Sequence, residues 1–262
     1  MDILIAVFIF ILGSCVGSFL NVCIYRLPLN ESIVFPRSRC PHCKHGIPWY
    51  DNIPLLSFML LGRKCRFCKA PISYRYFIVE FMSSVLFLLL WYFYGPSAKF
   101  VIYAALFSSL IIVTFIDFKY TEIPDVISIP GIFAGLILSA AFPALHGSAS
   151  RLVGSLSSMY GILAGGLSIY AIGAIGTIIF KKEAMGFGDV KLLAMIGAFL
   201  GWKLTILTFF IAPFFGSIVG IAVKMRTGES LIPYGPFLSL ASLVALLWGN
   251  KILSYLYSGY IW

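Results

Sequence analysis

Residues Val101 to Asp117 read VIYAALFSSLIIVTFID, an uncharged run closed by a carboxylate. The run lacks the polar–apolar alternation of a barrel strand, and with its flank from Ala98 it reaches the roughly 20 residues an α-helix needs to cross a bilayer core. Similar stretches recur along the chain. Together they predict spans at roughly 3–24, 76–94, 98–117, 125–145, 152–180, 189–201, 203–223 and 233–257. The sixth is short and is parted from the seventh only by Gly201-Trp202-Lys203, so seven spans or a re-entrant segment are alternative readings. Over 262 residues the chain is 60% hydrophobic and 11% charged, with a mean hydropathy of +0.98. That composition excludes a soluble domain and predicts an all-α polytopic membrane protein of about eight transmembrane helices, because backbone in lipid must satisfy its own hydrogen bonds.

The net charge of +9 does not point to nucleic acid, since nine of the nineteen Lys and Arg residues fall between Arg26 and Arg75, around a group of cysteines. A basic, cytoplasmic domain at the membrane surface fits better. With the amino terminus outside, the inner loops and their flanks hold Arg26 to Arg75, Lys119, Lys181, Lys182, Lys191, Lys224 and Arg226. The outer side keeps only Lys99, Arg151, Lys203 and Lys251. Fifteen basic residues against four is a strong positive-inside bias, and it places Asp117, Asp125 and Asp189 on the cytoplasmic side. Tyr92, Tyr94, Trp202, Trp248 and Tyr255 then fall near the outer ends, as an aromatic belt would. Ile3 to Ile24 has no basic stretch ahead of it and exceeds a signal-peptide core, so it reads as a retained transmembrane helix. On it, Cys15 and Cys23 read as buried packing residues.

These boundaries divide the chain into a first helix (1–26), a small domain rich in Pro, Cys and basic residues (27–74) and a membrane core (75–262). No sequence repeat stands out. The middle segment is too small for a large apolar core and needs a staple. Cys40-Pro-His-Cys43 and Cys65-Arg-Phe-Cys68, with 21 residues between them, have the spacing of a structural zinc site. Each knuckle offers two thiolates from one tight turn, and four close a tetrahedral shell. Arg39, Lys44, Lys64, Arg66 and Lys69 favour thiolates and offset their charge. A pair of disulfides is the competing reading, disfavoured by a reducing cytoplasm. Catalytic zinc is disfavoured more strongly still, because four thiolates leave no position for water. His42 and His45 read as surface residues.

Among only ten acidic residues, two aspartates stand apart. Asp117 ends an apolar run at a helix C-terminus, where a negative charge opposes the helix dipole, so stability does not explain it. Asp189, in Met185-Gly186-Phe187-Gly188-Asp189-Val190-Lys191, opens a helix and taken alone would pass for a cap. Its flanking glycines let backbone or substrate come close. Two carboxylates brought together at low dielectric cannot both ionise easily, so one holds a proton while the other activates water. The inferred chemistry is peptide hydrolysis, with one Asp as general base and the other as acid. Asp125, after the helix-breaking Pro124, reads as the N-cap of the fourth span. Glu80 either pairs with a basic residue or lines a cavity, and Lys191 either pairs with an aspartate or snorkels.

At these residues the chain resembles the bacterial type IV prepilin peptidases, which are leader peptidases and N-methyltransferases. Gly13-Ser14-Cys15-Val16-Gly17-Ser18-Phe19-Leu20-Asn21-Val22 with Tyr25-Arg26-Leu27-Pro28 is similar to the family's opening, and the double Cys-x-x-Cys segment to its cytoplasmic insertion. Ile116-Asp117, Ile123-Pro124-Asp125 and Gly186-Phe187-Gly188-Asp189 are similar to its peptidase core. The resemblance covers almost the whole chain. It implies Asp117 and Asp189 as the catalytic pair, a prepilin or type II secretion pseudopilin substrate with a short basic leader ending in Gly, and cleavage at the cytoplasmic face of the bacterial inner membrane. It also implies methylation of the new terminal amine by S-adenosylmethionine, with the first span, the cysteine domain and Glu80 as candidate contributors. The aspartates are 72 residues apart, longer than the family leads one to expect, and the extra length is assigned to an outer loop around Pro143 to Arg151.

Three other readings compete. A presenilin-like intramembrane aspartyl protease shares Gly-x-Gly-Asp but not the cysteine domain or Ile-Pro-Asp. A proton-coupled transporter would place its carboxylates at the midplane and show paired broken helices. A purely structural zinc-bearing scaffold leaves Asp117 unexplained.

Overall fold

The structure is a computed structural model that describes residues 2–181, 185–227 and 232–258. Lys182, counted above among the inner basic residues, lies outside these. Among the described residues the architecture is helical, with no strand beyond two isolated bridges. The chain packs as two compact units, Met1–Ile112 and Val113–Trp262.

The first unit contains α1 (Ile3–Arg26), the short α2 (Leu56–Leu60), α3 (Tyr74–Tyr94) and the start of α4 (Ala98–Tyr120). Its frame is the pairing of α1 with α3, and small residues make that pairing possible. A Cβ on Gly13 would fall 2.7 Å from the Ser84 Cα, and one on Gly17 would fall 2.6 Å from the Glu80 Cα. Close backbone approach of this kind is what drives helix association where lipid removes the hydrophobic incentive. The buried Asn21 side chain donates to the Tyr76 carbonyl at 3.1 Å and adds a polar tie between the same helices. Among the described residues no ion pair involves Glu80. It is buried and accepts the Leu55 N–H at 2.8 Å, holding a residue with φ of +63° at the entrance to α2. Reading Cys15 with Cys23 as buried packing residues holds for Cys23 alone, because Cys15 is exposed. Eight residues carry a helix about 80° beyond two full turns, enough to put the two thiols on different faces.

The second unit is built around α7 (Phe187–Leu200), from which every residue between Leu192 and Leu200 is buried. α5 (Asp125–Ala141), α6 (Arg151–Phe180), α8 (Trp202–Thr227) and α9 (Gly235–Ser258) pack on it. Glycines set the spacing here as well: a Cβ on Gly161 would meet the Gly197 carbonyl oxygen at 2.1 Å, and one on Gly197 would meet that of Gly161 at 2.1 Å. Ser139 and Ser158 donate to the Ala198 carbonyl at 3.0 and 2.8 Å, so α5 and α6 are tied to one point on α7.

All eight predicted apolar segments form helices, and Gly201, at φ +74°, separates α7 from α8. The span count differs. Among the described residues six helices are long and apolar enough to cross a membrane, namely α1, α3, α4, α6, α8 and α9. α5 has 17 residues and α7 has 14. At 1.5 Å per residue they measure about 26 and about 21 Å, against a hydrocarbon core of about 30 Å. In the Pro143 to Arg151 region, a 3₁₀ turn (Pro143–His146) leads from α5 toward α6.

Candidate active site

Three helix ends meet in the second unit, the end of α4 and the starts of α7 and α9. α4 carries Asp117 into its last turn and ends at Tyr120, where Thr121 turns left-handed at φ +52°. Ile123 follows, buried, and Pro124 then starts α5. α7 begins at Phe187 with Gly186 as its N-cap, so Asp189 falls in its first turn, where the helix dipole favours a negative charge. α9 begins at Gly235.

Asp117 is 4% exposed, and its Oδ2 accepts the backbone N–H of Gly235 at 2.9 Å. Through that bond a carboxylate opposed to its own helix dipole gains the N-terminal field of another helix. Asp189 is half-buried and is held by the Gly186 amide, close enough to Asp117 for their charges to interact. The structure therefore brings Asp117 and Asp189 together. Ile123 acts as the spacer: a Cβ on Gly188 would lie 3.0 Å from the Ile123 Cβ, and one on Gly235 would lie 3.5 Å from the Ile123 Cδ1.

Asp125 is not the cap expected of it. Pro124 occupies the N-cap position with no capping hydrogen bond from a side chain, and Asp125 is already the first helical residue. Its carboxylate instead pairs with Lys191, which joins the start of α5 to the start of α7. That also resolves Lys191 as a pairing residue.

Gly235 and Ile123 are the site residues that sequence reasoning passes over. Pro233-Tyr234-Gly235-Pro236, a glycine between prolines just ahead of an apolar run, is the signal for the first. A Cβ at Gly235 would come within 2.6 Å of Asp117 Oδ2. Gly235→Ala is accordingly expected to push the Asp117 carboxylate off its amide and slow turnover about 100-fold, since displacements near 1 Å carry costs of that size. Initial rates on the protein's substrate would check this, with an unchanged melting temperature showing that the helices persist.

In the first unit the four cysteine sulfurs lie within 4.8 Å of one another, a cluster that can hold a metal ion. Cys40 Sγ and Cys68 Sγ are 3.8 Å apart, and a tetrahedron with Zn–S bonds of about 2.3 Å has edges of about 3.8 Å. The site is a structural repeat that the sequence reading did not register. Cys40 N–H donates to the His45 carbonyl at 2.9 Å, and Cys65 N–H donates to the Ala70 carbonyl at 2.9 Å. Lys44 and Lys69 both turn left-handed at φ +59°, and Ile47 and Ile72 bond back to Ser38 and Arg63 at 2.9 and 2.8 Å. Residues 39–47 and 64–72 are thus one knuckle used twice. The Cys65 thiol is drawn down to about 7, chiefly by the amides of Cys68 and Phe67, while burial and the neighbouring thiols push Cys68 up to about 11. Arg66 clasps Asp51 with two bonds, at 2.6 and 2.5 Å, and so fixes the second knuckle to the segment between them. His42 and His45 are exposed, and the His45 ring packs against Phe67 with centroids 3.7 Å apart and planes tilted by 38°.

Comparison with known proteins bears on both units. Residues 11–94 match the model of the bacterial peptidase A24 N-terminal domain, and residues 104–221, which include both aspartates, match that of the type IV leader peptidase family. A prepilin leader peptidase/N-methyltransferase of Myxococcus xanthus is 43% identical over 87% of this chain and 65% of its own length. Proteins of the same name from Stutzerimonas stutzeri and Pseudomonas aeruginosa are each 35% identical over 92% of this chain and 90% of theirs. No solved structure matches.

Proposed function

The chain belongs to the type IV leader peptidase family, and from that premise we propose that it is a membrane aspartyl endopeptidase that removes the leader of type IV prepilins or pseudopilins and methylates the new terminal amine. The observation that carries the peptidase reading is the meeting of two scarce carboxylates from different helix ends, Asp117 and Asp189, in one site of the second unit. One carboxylate, ionised, takes a proton from water as its oxygen attacks the scissile carbonyl carbon. The other, protonated, gives its proton to the carbonyl oxygen. As the tetrahedral gem-diol collapses and the C–N bond breaks, the carboxyl that took the proton from water gives it to the departing nitrogen, and the other carboxylate takes a hydroxyl proton back, which restores the dyad. Gly235 N–H orients Asp117, and Gly188 beside Asp189 lets Ile123 pack close to the pair.

Cys40, Cys43, Cys65 and Cys68 are the proposed ligands of one zinc ion, which closes the 27–74 domain and takes no part in hydrolysis; residues 75–262 form the peptidase core. The charge asymmetry supports an amino terminus outside the cytoplasmic membrane of a bacterium, with the dyad facing the cytoplasm. Methyl transfer, with S-adenosylmethionine as donor, follows the relatives' names, and no residue is assigned to it.

The test is direct. Purified protein incubated with a prepilin and isotope-labelled S-adenosylmethionine should yield a mature protein with its leader gone and one methyl group on its amino terminus, read by mass and terminal sequencing. An intact prepilin would overturn the peptidase reading, and an unlabelled mature product would overturn the methyltransferase.

A further inference from the structure

The second unit contains a groove of about 310 Å³ between α8 and α9 that no part of the hydrolytic chemistry uses. Phe237, buried, is its floor, and Pro213 and Ser217 are exposed on its wall. Gly216 and Gly220 keep it open. A Cβ on Gly216 would sit 3.4 Å from the Phe237 ring, and one on Gly220 would sit 3.5 Å from Ile232 Cδ1, so any larger side chain there would occupy the groove itself. One end of the groove is Tyr234, whose neighbour Gly235 holds Asp117. From Gly220 to Pro213 it follows α8 for about 10 Å, the rise of seven helical residues.

We infer that this groove receives the first two turns of the substrate's apolar helix, the part that follows the scissile bond. The inference rests on the peptidase reading. A substrate cut at the edge of the membrane must present an extended segment to the dyad and, within a few residues, an apolar helix to lipid. A groove that starts one residue from the amide holding Asp117 and runs along an exposed apolar helix satisfies both demands. Its glycines permit the close backbone approach by which helices associate in lipid, where apolar surface alone gives no preference for protein over acyl chains. Specificity for the substrate helix would accordingly lie in its first seven residues.

Photocrosslinking tests this. p-Benzoylphenylalanine is placed at Ser217, and separately at Ile178 of α6, which is 78% exposed and does not line the groove. Both are made in an Asp189→Asn background so that bound prepilin stays uncut. Irradiation in membranes should join Ser217, at least tenfold more than Ile178, to the first seven residues of the substrate helix, mapped by mass spectrometry. Equal yields at the two positions, adducts to lipid alone, or no adduct at Ser217 would each overturn the proposal. The unsubstituted chain is assayed on the same prepilin in the same membranes. Cleavage without a Ser217 adduct removes only the groove, whereas failure to cleave removes the peptidase reading. Filling the groove by Gly216→Leu with Gly220→Leu should raise KM for prepilin about tenfold and leave kcat within a factor of two. A fall in kcat at unchanged KM would also overturn the assignment.

Discussion

Asp117→Asn and Asp189→Asn are each expected to slow prepilin cleavage by about 10³-fold, within the range that general acid–base catalysis contributes. Asparagine preserves the size of the side chain and, at position 117, an oxygen that can still accept the Gly235 N–H. It lacks a proton that can be passed to and from water, so the chemical step is lost while the packing is kept. The two losses should not multiply, because one step uses both groups, and the double variant should be about as slow as either single one. Stability should move in the opposite sense at one position. Asp117 places a negative charge in the last turn of α4, against the helix dipole, and neutralising it should leave the melting temperature unchanged or raise it. Cleavage rates by mass spectrometry, with melting followed on the same preparations, decide the matter. Residual cleavage within tenfold of the wild type in either variant would exclude the dyad.

Asp117 was legible in the sequence for the same reason: its position is unfavourable to its own helix. The long helices were legible because lipid demands unbroken apolar runs, and α1, α3, α4, α6, α8 and α9 all lie where those runs predict. α7 was legible as a short helix, whereas α5, read as a full span over 125–145, has only 17 residues. Hydropathy reports whether a residue avoids water and does not distinguish lipid from protein as the surroundings, so the enclosed run Leu192 to Leu200 looks like a membrane span. Gly235 was not legible as a site residue because what it contributes is a backbone amide and the absence of a side chain. Both properties acquire meaning only when a residue 118 positions away in sequence is brought to 2.9 Å. The repeated knuckle was hidden differently. His45 and Gly46 correspond to Ala70 and Pro71, and what persists between the copies is the cysteines, the turn lysines and the pattern of backbone bonds.

Removing the metal should separate the two units by their dependence on it. Metal analysis of the purified protein is expected to give one zinc per chain, falling to none in a Cys40→Ser, Cys65→Ser double variant. Binding a structural zinc is worth about 10–16 kcal/mol in small metal-dependent folds. A 27–74 segment whose described helices are short has no apolar core to replace that, so it should lose its structure and become sensitive to protease between Leu29 and Ser73. The membrane helices should keep their circular dichroism, since their hydrogen bonds close within each helix. Asp117, Asp189, Gly235 and Ile123 all belong to the second unit, and the thiols all belong to the first. Cleavage should therefore fall by no more than a few fold on chelation, and slowly, as the domain unfolds. Methyl transfer has no assigned residues, and a loss of methylation that tracks zinc release while cleavage survives would place that activity in the first unit. Immediate loss of cleavage on adding a chelator, with the segment still resistant to protease, would mean that the metal takes part in hydrolysis. Four thiolates at tetrahedral spacing argue against that outcome, because they leave the ion no position for water or a scissile carbonyl.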